Sequence, residues 1–100
     1  MSKSVKLKGP LFGLQRVGDG QGDSGRLLKS IDPKTLSVVG VNGEIRLGCC
    51  VQCGSDYARS MQYQDFWLTT PVIKIGKIRN NRVEFQTNNS TYVAWGINGR

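Results

Sequence analysis

The chain has 100 residues, a length that suits one domain with one hydrophobic core. Fourteen lysines and arginines against seven acidic residues give a net charge of +7, and the absence of histidine removes the commonest general base and metal ligand. The 13 glycines favour strands and tight turns over a helical bundle, because glycine disfavours helix interiors and supplies the positive φ of turns.

The N-terminal residues predict neither a signal peptide nor a membrane anchor. No apolar run follows residues 1–6, and no stretch approaches the roughly 20 apolar residues that a membrane span requires. The sequence therefore predicts a cytoplasmic protein that has no membrane partner.

The first quarter of the chain predicts a strand and then a loop. Apolar residues alternate imperfectly from Val5 to Leu14 around Gly9-Pro10, which indicates a short strand interrupted by a turn. Residues 18–25 contain four glycines and no apolar side chain, so burial cannot offset the entropy of ordering them. We expect a single β domain over residues 1–100 with a flexible Gly/Asp loop at 18–25.

The clearest local signal is Asn42-Gly43 between two runs of strand-forming residues. A type I′ turn requires positive φ at both central positions, which Asn-Gly adopts readily. This pattern predicts a two-residue hairpin loop, and the loop in turn sets the register so that Val38 faces Leu47.

A second hairpin is predicted at Asn80-Asn81, where asparagines again occupy both central turn positions. In the register that this turn imposes, Gly76 faces Phe85 on an apolar face. A further turn at residues 88–90 would return the chain. Residues 72–95 are therefore predicted to form a three-stranded meander.

The segment 55–67 is the one helix candidate. Ser55 suits a helix N-cap, and Tyr57 and Met61 are four residues apart. Its glutamines and aromatics fit a strand almost as well, so the prediction is a short helix or a turn. The whole pattern predicts an all-β fold, a small barrel or sandwich of five to seven short antiparallel strands with at most one short helix near 55–65.

Two sequence features have a structural and a functional interpretation. Cys50-x-x-Cys53, preceded by Cys49, has the spacing of half a zinc site, but four ligands are required and histidine is absent. Asp56 or a second chain would have to complete the site, so we favour buried thiols and predict no metal and no cofactor. Trp67 is predicted to lie in the core, with an interface anchor as the alternative.

Basic residues are concentrated in three groups, of which the second hairpin carries the largest. Its members are Lys74, Lys77, Arg79 and Arg82. The smaller groups are Lys3, Lys6 and Lys8, and Arg26, Lys29 and Lys34. A basic hairpin beside an exposed aromatic such as Tyr63, Tyr92 or Trp95 is typical of proteins that bind single-stranded nucleic acid. The alternative is a solvated sheet edge whose charges prevent aggregation.

Four segments of the C-terminal half carry a resemblance. They are Tyr57-Ala58-Arg59-Ser60, Gln64-Asp65-Phe66-Trp67, Thr69-Thr70-Pro71-Val72 and Thr87-Asn88-Asn89-Ser90-Thr91-Tyr92. The order Thr-Thr-Pro-Val, hairpin, Thr-x-Asn-Ser-x-Tyr is similar to that of small uncharacterised β-rich proteins of tailed-phage genomes, with one extra residue here at Asn89 or Thr91. These are turn and core residues, so the resemblance implies a fold and a phage origin, and no activity.

The expected function is a non-enzymatic binding module with a basic surface for an anionic partner such as nucleic acid. No tuned acid–base pair is visible that would indicate an enzyme. The alternative, which the resemblance also implies, is a structural or protein-interaction protein, either a virion accessory subunit or an inhibitor of a host protein. Such a protein would use edge strands and aromatics to contact a protein partner or form a homo-oligomer, in the host cytoplasm or the virion.

Overall fold

The computed structural model describes residues 3–54 and 66–97, and within these ranges it contains strands and no helix. The strands are β1 (Ser4–Lys6), β2 (Leu11–Arg16), β3 (Gly22–Gly25), β4 (Leu27–Ile31), β5 (Val38–Val39), β6 (Glu44–Arg46), β7 (Cys50–Gly54), β8 (Phe66–Leu68), β9 (Val72–Ile75), β10 (Arg82–Thr87) and β11 (Thr91–Ile97). The all-β prediction is confirmed, although the described residues contain eleven short strands where five to seven were expected.

The strands form three antiparallel sheets. A five-stranded sheet has the order β3-β2-β11-β10-β9, a four-stranded sheet has the order β5-β4-β7-β8, and β1 pairs with β6. The arrangement resembles a sandwich and is not a closed barrel, since both larger sheets keep edge strands. None of the described residues belongs to a helix long and apolar enough to cross a bilayer.

The core lies between the sheets and draws on all three of them. Its buried members are Leu7, Phe12, Leu14, Leu28, Ile45, Val51, Cys53, Val72, Val83, Phe85, Tyr92 and Ala94. Strand periodicity places them there, because alternate residues of a strand point to opposite faces of its sheet. Trp67 packs against this cluster, as predicted, and the Arg16 guanidinium lies 5.0 Å from its ring centroid.

The small sheet is joined to the four-stranded sheet by a buried hydroxyl. The Oγ of Ser30, in β4, donates to the carbonyl of Glu44 at 2.7 Å and accepts from the amide of Arg46 at 3.1 Å. Both partners lie in β6, so Ser30 ties one sheet to the other. Because both bonds are made, the buried polar group is satisfied and its desolvation is compensated.

The predicted turn at Asn80-Asn81 is confirmed. Both asparagines have positive φ, 53° and 59°, which is the requirement of a type I′ turn. Arg79 and Arg82 exchange backbone hydrogen bonds of 2.9 and 3.0 Å across the turn. The predicted meander is also confirmed, because β9, β10 and β11 are consecutive neighbours in the five-stranded sheet.

The predicted register below this turn is wrong by one residue. Phe85 pairs with Ile75 instead of Gly76. One residue more lies between Ile75 and Arg79 than between Arg82 and Phe85, so the strand that enters the turn is bulged. The bulge allows Ile75 to pack against the core and leaves Ile78 40% exposed.

The predicted hairpin at Asn42-Gly43 is wrong. A turn is present, closed by a 3.1 Å bond from the amide of Glu44 to the carbonyl of Val41, but only Gly43 has positive φ, at 97°. The flanking strands do not pair with each other, since β5 pairs with β4 and β6 pairs with β1. Val38 accordingly faces Ile31.

The Asn42-Gly43 turn is used to join distant strands. The Asn42 side chain accepts from the amide of Leu28 at 2.8 Å and donates to the carbonyl of Arg26 at 2.9 Å. The Gly43 amide donates to the Leu28 carbonyl at 2.6 Å, and the Leu7 amide donates to the Gly43 carbonyl at 2.8 Å. These bonds tie the turn to β4 and to the segment after β1.

The predicted flexible loop at 18–25 is also corrected. Its second half is β3, which pairs with β2 and thereby forms one edge of the five-stranded sheet. The chain reverses before β3 in a turn where the Arg16 side chain bonds Asp19, with the shortest contact at 2.7 Å. This hydrogen bond lowers the pKa of Asp19 to about 2. The helix predicted near 55–65 lies outside the described residues.

Candidate nucleic-acid interface

Three of the four predicted cations converge on one groove at the end of the β9–β10 hairpin. Lys77, Arg79 and Arg82 line it, together with the carboxylate-bearing Glu84. All four of these side chains are exposed. The fourth cation, Lys74, is exposed on β9 opposite Gln86 and does not line the groove.

The groove cations make no ion pair with other described residues. Within residues 3–54 and 66–97, the ion pairs are Arg16–Asp19 and Arg46–Glu44, both on other elements. Cations that have no internal partner keep their charge available for an external anion. With one carboxylate among three cations, the groove is positively charged.

The N-terminal lysine group lies beside this hairpin. Lys3 and Lys77 line a second groove, which runs between β1 and the end of β9. Lys8 is attached to the tip of the hairpin, because its amide donates to the Asn81 Oδ1 at 2.8 Å and its carbonyl accepts from the Asn81 Nδ2 at 2.9 Å. Two of the three basic groups in the sequence are therefore neighbours in space.

The third basic group lies in or next to β4 of the four-stranded sheet. Lys29 lies in β4, opposite Gln52, and Lys34 is exposed in the turn that follows β4. Neither of these residues lines a groove that the hairpin cations share. They add to the net charge of the protein without extending the candidate interface.

The aromatic residues proposed as neighbours of the hairpin fall into three cases. Tyr92 is 4% exposed and its ring stacks on that of Phe85 at 5.3 Å, so it belongs to the core. Tyr63 lies outside the described residues. Trp95 is half-buried in β11, directly opposite Arg82. Only Trp95 among these described aromatics has surface available beside the cations.

The position of Trp95 depends on Gly13 in the neighbouring strand β2. The two residues pair across the strands, and a Cβ built on Gly13 would lie 2.3 Å from both Cε2 and Cζ2 of the indole. The indole therefore lies over the bare backbone of Gly13. Sequence alternation could not reveal this contact, since it does not show which residue of a distant strand lies opposite Trp95.

The cysteines differ in burial and are protonated at neutral pH. Cys53 is fully buried, with its thiol 3.7 Å from the carbonyl of Asp23, and burial raises its pKa to about 12. Desolvation also raises the pKa values of Cys49 and Cys50, which are half-buried.

Nowhere in the described part of the chain do three or more His, Cys, Asp or Glu residues form a group that could hold a metal ion.

We expect stability to fall at high pH because of Cys53. Its pKa is raised in the folded state, so its contribution is complete below the usual value of 9.0 and is lost as the pH rises towards about 12. Urea unfolding of the wild type and of Cys53→Ala, followed from pH 8 to pH 10.5, measures this loss. The wild type should lose more stability over that range than Cys53→Ala, and parallel pH profiles would contradict the burial of this thiol.

The candidate site is an open surface. Its parts are a cationic groove, a neighbouring lysine-lined groove and a half-buried indole one strand away. Comparisons with family models, curated proteins and solved structures gave no match to this chain.

Proposed function

We propose that this protein is a non-enzymatic module that binds nucleic acid through the groove of the β9–β10 hairpin. The observation that carries the proposal is the convergence of Lys77, Arg79 and Arg82 on one groove, where none of them pairs with a described carboxylate. Arginine side chains can present two parallel N–H donors to a phosphate, and lysine adds a mobile positive charge. Phosphate contacts of this kind supply most of the affinity of sequence-independent binding.

The backbone around the groove supports the proposal because it is held in place before any ligand arrives. The type I′ turn orients Arg79 and Arg82, and the two bonds from Asn81 to Lys8 connect the turn to the N-terminal segment. A preorganised site spends less binding free energy on ordering its own backbone. The resemblance to tailed-phage proteins supports a phage gene, with the host cytoplasm or the virion as the place of action.

Removal of two groove charges should weaken binding in a salt-dependent way. We expect Arg79→Gln/Arg82→Gln to reduce the slope of log affinity against log salt by about 1.4 for a single strand, because each phosphate contact contributes about 0.7. If the two proteins bind equally at 1 M salt, this slope difference corresponds to about 25-fold weaker binding by the variant at 0.1 M salt. Fluorescence anisotropy of a labelled oligothymidylate across a salt series measures both quantities.

The matched control is Lys29→Gln/Lys34→Gln, which lowers the net charge equally on the other sheet. It should leave the slope nearly unchanged, because neither lysine lines the groove. Equal effects of the two double variants would mean that binding depends on net charge alone. Affinity that does not change with salt in the wild type would refute the proposed function.

A second candidate is protein contact through the β5 edge of the four-stranded sheet. Leu36 is 73% exposed and has a φ of 62°, and Val38 and Val41 are 51% and 53% exposed. Exposed apolar residues along an edge strand favour strand addition or association with a second chain. Sedimentation distinguishes the two candidates: a stable homo-oligomer that ignores oligonucleotides would favour protein contact.

A further inference from the structure

The outer face of the five-stranded sheet places an aromatic residue beside the cationic groove. Trp95 of β11 faces Arg82 of β10 on one side and Gly13 of β2 on the other, and Gly13 in turn faces Ser24 of β3. Directly opposed residues in an antiparallel pair have Cα atoms about 4.5–5.5 Å apart. The indole and a groove cation are therefore near neighbours on one surface.

The support beneath the indole limits its mobility. Because Gly13 has no side chain, three indole atoms approach the position of its missing Cβ: Cε2 and Cζ2 at 2.3 Å and Nε1 at 2.7 Å. Gly13 is buried, whereas Trp95 is half-buried. Contact with the backbone on one side thus leaves aromatic surface facing away from the sheet.

The surroundings of Trp95 on this face are open and mixed in polarity, since the apolar pair Leu11 and Ile97 is 42% and 48% exposed beside the polar positions. Gln15 and Ser24 are exposed on neighbouring positions of the sheet, and so are Arg82 and Glu84. A half-buried aromatic that keeps some surface beside amide and guanidinium groups matches the composition of surfaces on which bases stack while cations hold the backbone. The other tryptophan, Trp67, is covered by the Arg16 guanidinium and packs against the core.

We propose that Trp95 stacks on an unpaired base, so that the ligand of this surface is single-stranded nucleic acid. The inference rests on the proposed function, because Arg82 and its neighbours would hold the phosphates of the strand whose base Trp95 contacts. In a duplex each base is already stacked on both faces and cannot reach an indole on a sheet. A cationic groove alone would not distinguish single-stranded nucleic acid from a duplex.

The test compares a short oligothymidylate with the duplex that it forms with oligoadenylate. Tryptophan emission of the wild type should be quenched by the single strand and not by the duplex. Trp95→Phe should lose the quenching while it keeps most of the affinity, since phenylalanine still offers a π-face. Trp95→Ala should bind the single strand about 10-fold more weakly, because one stacked base contributes about that factor.

The salt dependence separates stacking from charge. Trp95→Ala removes no phosphate contact, so its slope of log affinity against log salt should equal that of the wild type. Arg79→Gln/Arg82→Gln should instead reduce the slope and preserve the quenching at saturation. If Trp95→Ala does not fold, Trp95→Phe retains the fluorescence test.

The outcomes distinguish the two proposals. Salt-dependent binding of both nucleic acids with equal affinity and unchanged emission would overturn the stacking inference and leave the proposed function standing. Absence of binding to either probe at low salt would overturn both. Quenching that persists in Trp95→Phe would show that Trp67 reports the ligand and would also overturn the inference.

Discussion

Replacing Gly43 with alanine is expected to lower the free energy of unfolding by about 3 kcal/mol or more, from backbone strain and steric overlap together. Gly43 has a φ of 97°, which residues with a Cβ rarely adopt. A Cβ at this position would lie 2.4 Å from the carbonyl oxygen of Leu7 and 3.1 Å from the ring of Phe12. The oxygen belongs to the backbone, so relief requires movement of the chain between β1 and β2.

Gly48→Ala is the matched control for this prediction. Gly48 has a similar φ of 87°, but a Cβ there would meet nothing within 4 Å. Its cost should be about 1 kcal/mol, from backbone strain alone. Urea unfolding of both variants measures the difference. Equal losses of unfolding free energy in the two variants would mean that the backbone at Leu7 moves away from the new Cβ at little cost.

The same turn shows why a strong local signal predicted the wrong pairing. Asn42-Gly43 does reverse the chain, as its composition indicates. Strand pairing, however, depends on which backbone groups are free elsewhere in the fold, and the Leu28 amide and carbonyl bind Asn42 and Gly43. A sequence window around the turn contains no information about Leu28.

The turn at Asn80-Asn81 was predictable because its partners are local. Both asparagines adopt positive φ, and Arg79 and Arg82 pair as the turn type requires. The register of β9 against β10 was not predictable. The sequence contains no signal for the bulge that brings Ile75 against the core. Packing of Ile75 against the core favours the bulged pairing.

The strand β3 shows the limit of composition as a guide to order. Its sequence, Gly-Asp-Ser-Gly, has no apolar residue, and we expected a flexible loop. The strand is formed by backbone pairing with β2, which requires no side chain at all. This pairing requires glycine at position 22, because a Cβ on Gly22 would lie 1.8 Å from the carbonyl oxygen of Leu14.

The candidate site was predicted in part. The hairpin cations follow from the spacing of Lys77, Arg79 and Arg82 around a recognisable turn. Trp95 is also among the aromatics that the sequence suggests beside this hairpin, but its support by Gly13 does not follow, because the two residues lie at opposite ends of the chain. Their contact depends on the pairing of β11 with β2, and no local pattern specifies that pairing.

Truncation of Phe85 is the second change for which we expect a large effect. Phe85 is 1% exposed, and its ring stacks on Tyr92 with the centroids 5.3 Å apart. Phe85→Ala should lower the free energy of unfolding by about 3–5 kcal/mol, because it removes buried area and leaves a cavity. Phe85→Leu keeps most of the volume and should cost about 1.5 kcal/mol or less. Urea unfolding separates the two variants, and equal costs would contradict the packing of this ring.

Phe85 also supports the candidate interface from within the sheet. It alternates along β10 with Arg82 and Glu84, so the residue that anchors the strand to the core is three positions from a groove cation. Phe85→Leu, which stays folded, should therefore retain the wild-type affinity for a single strand and the same salt slope. A large loss of affinity in Phe85→Leu would mean that the groove depends on the exact packing of the core beneath it.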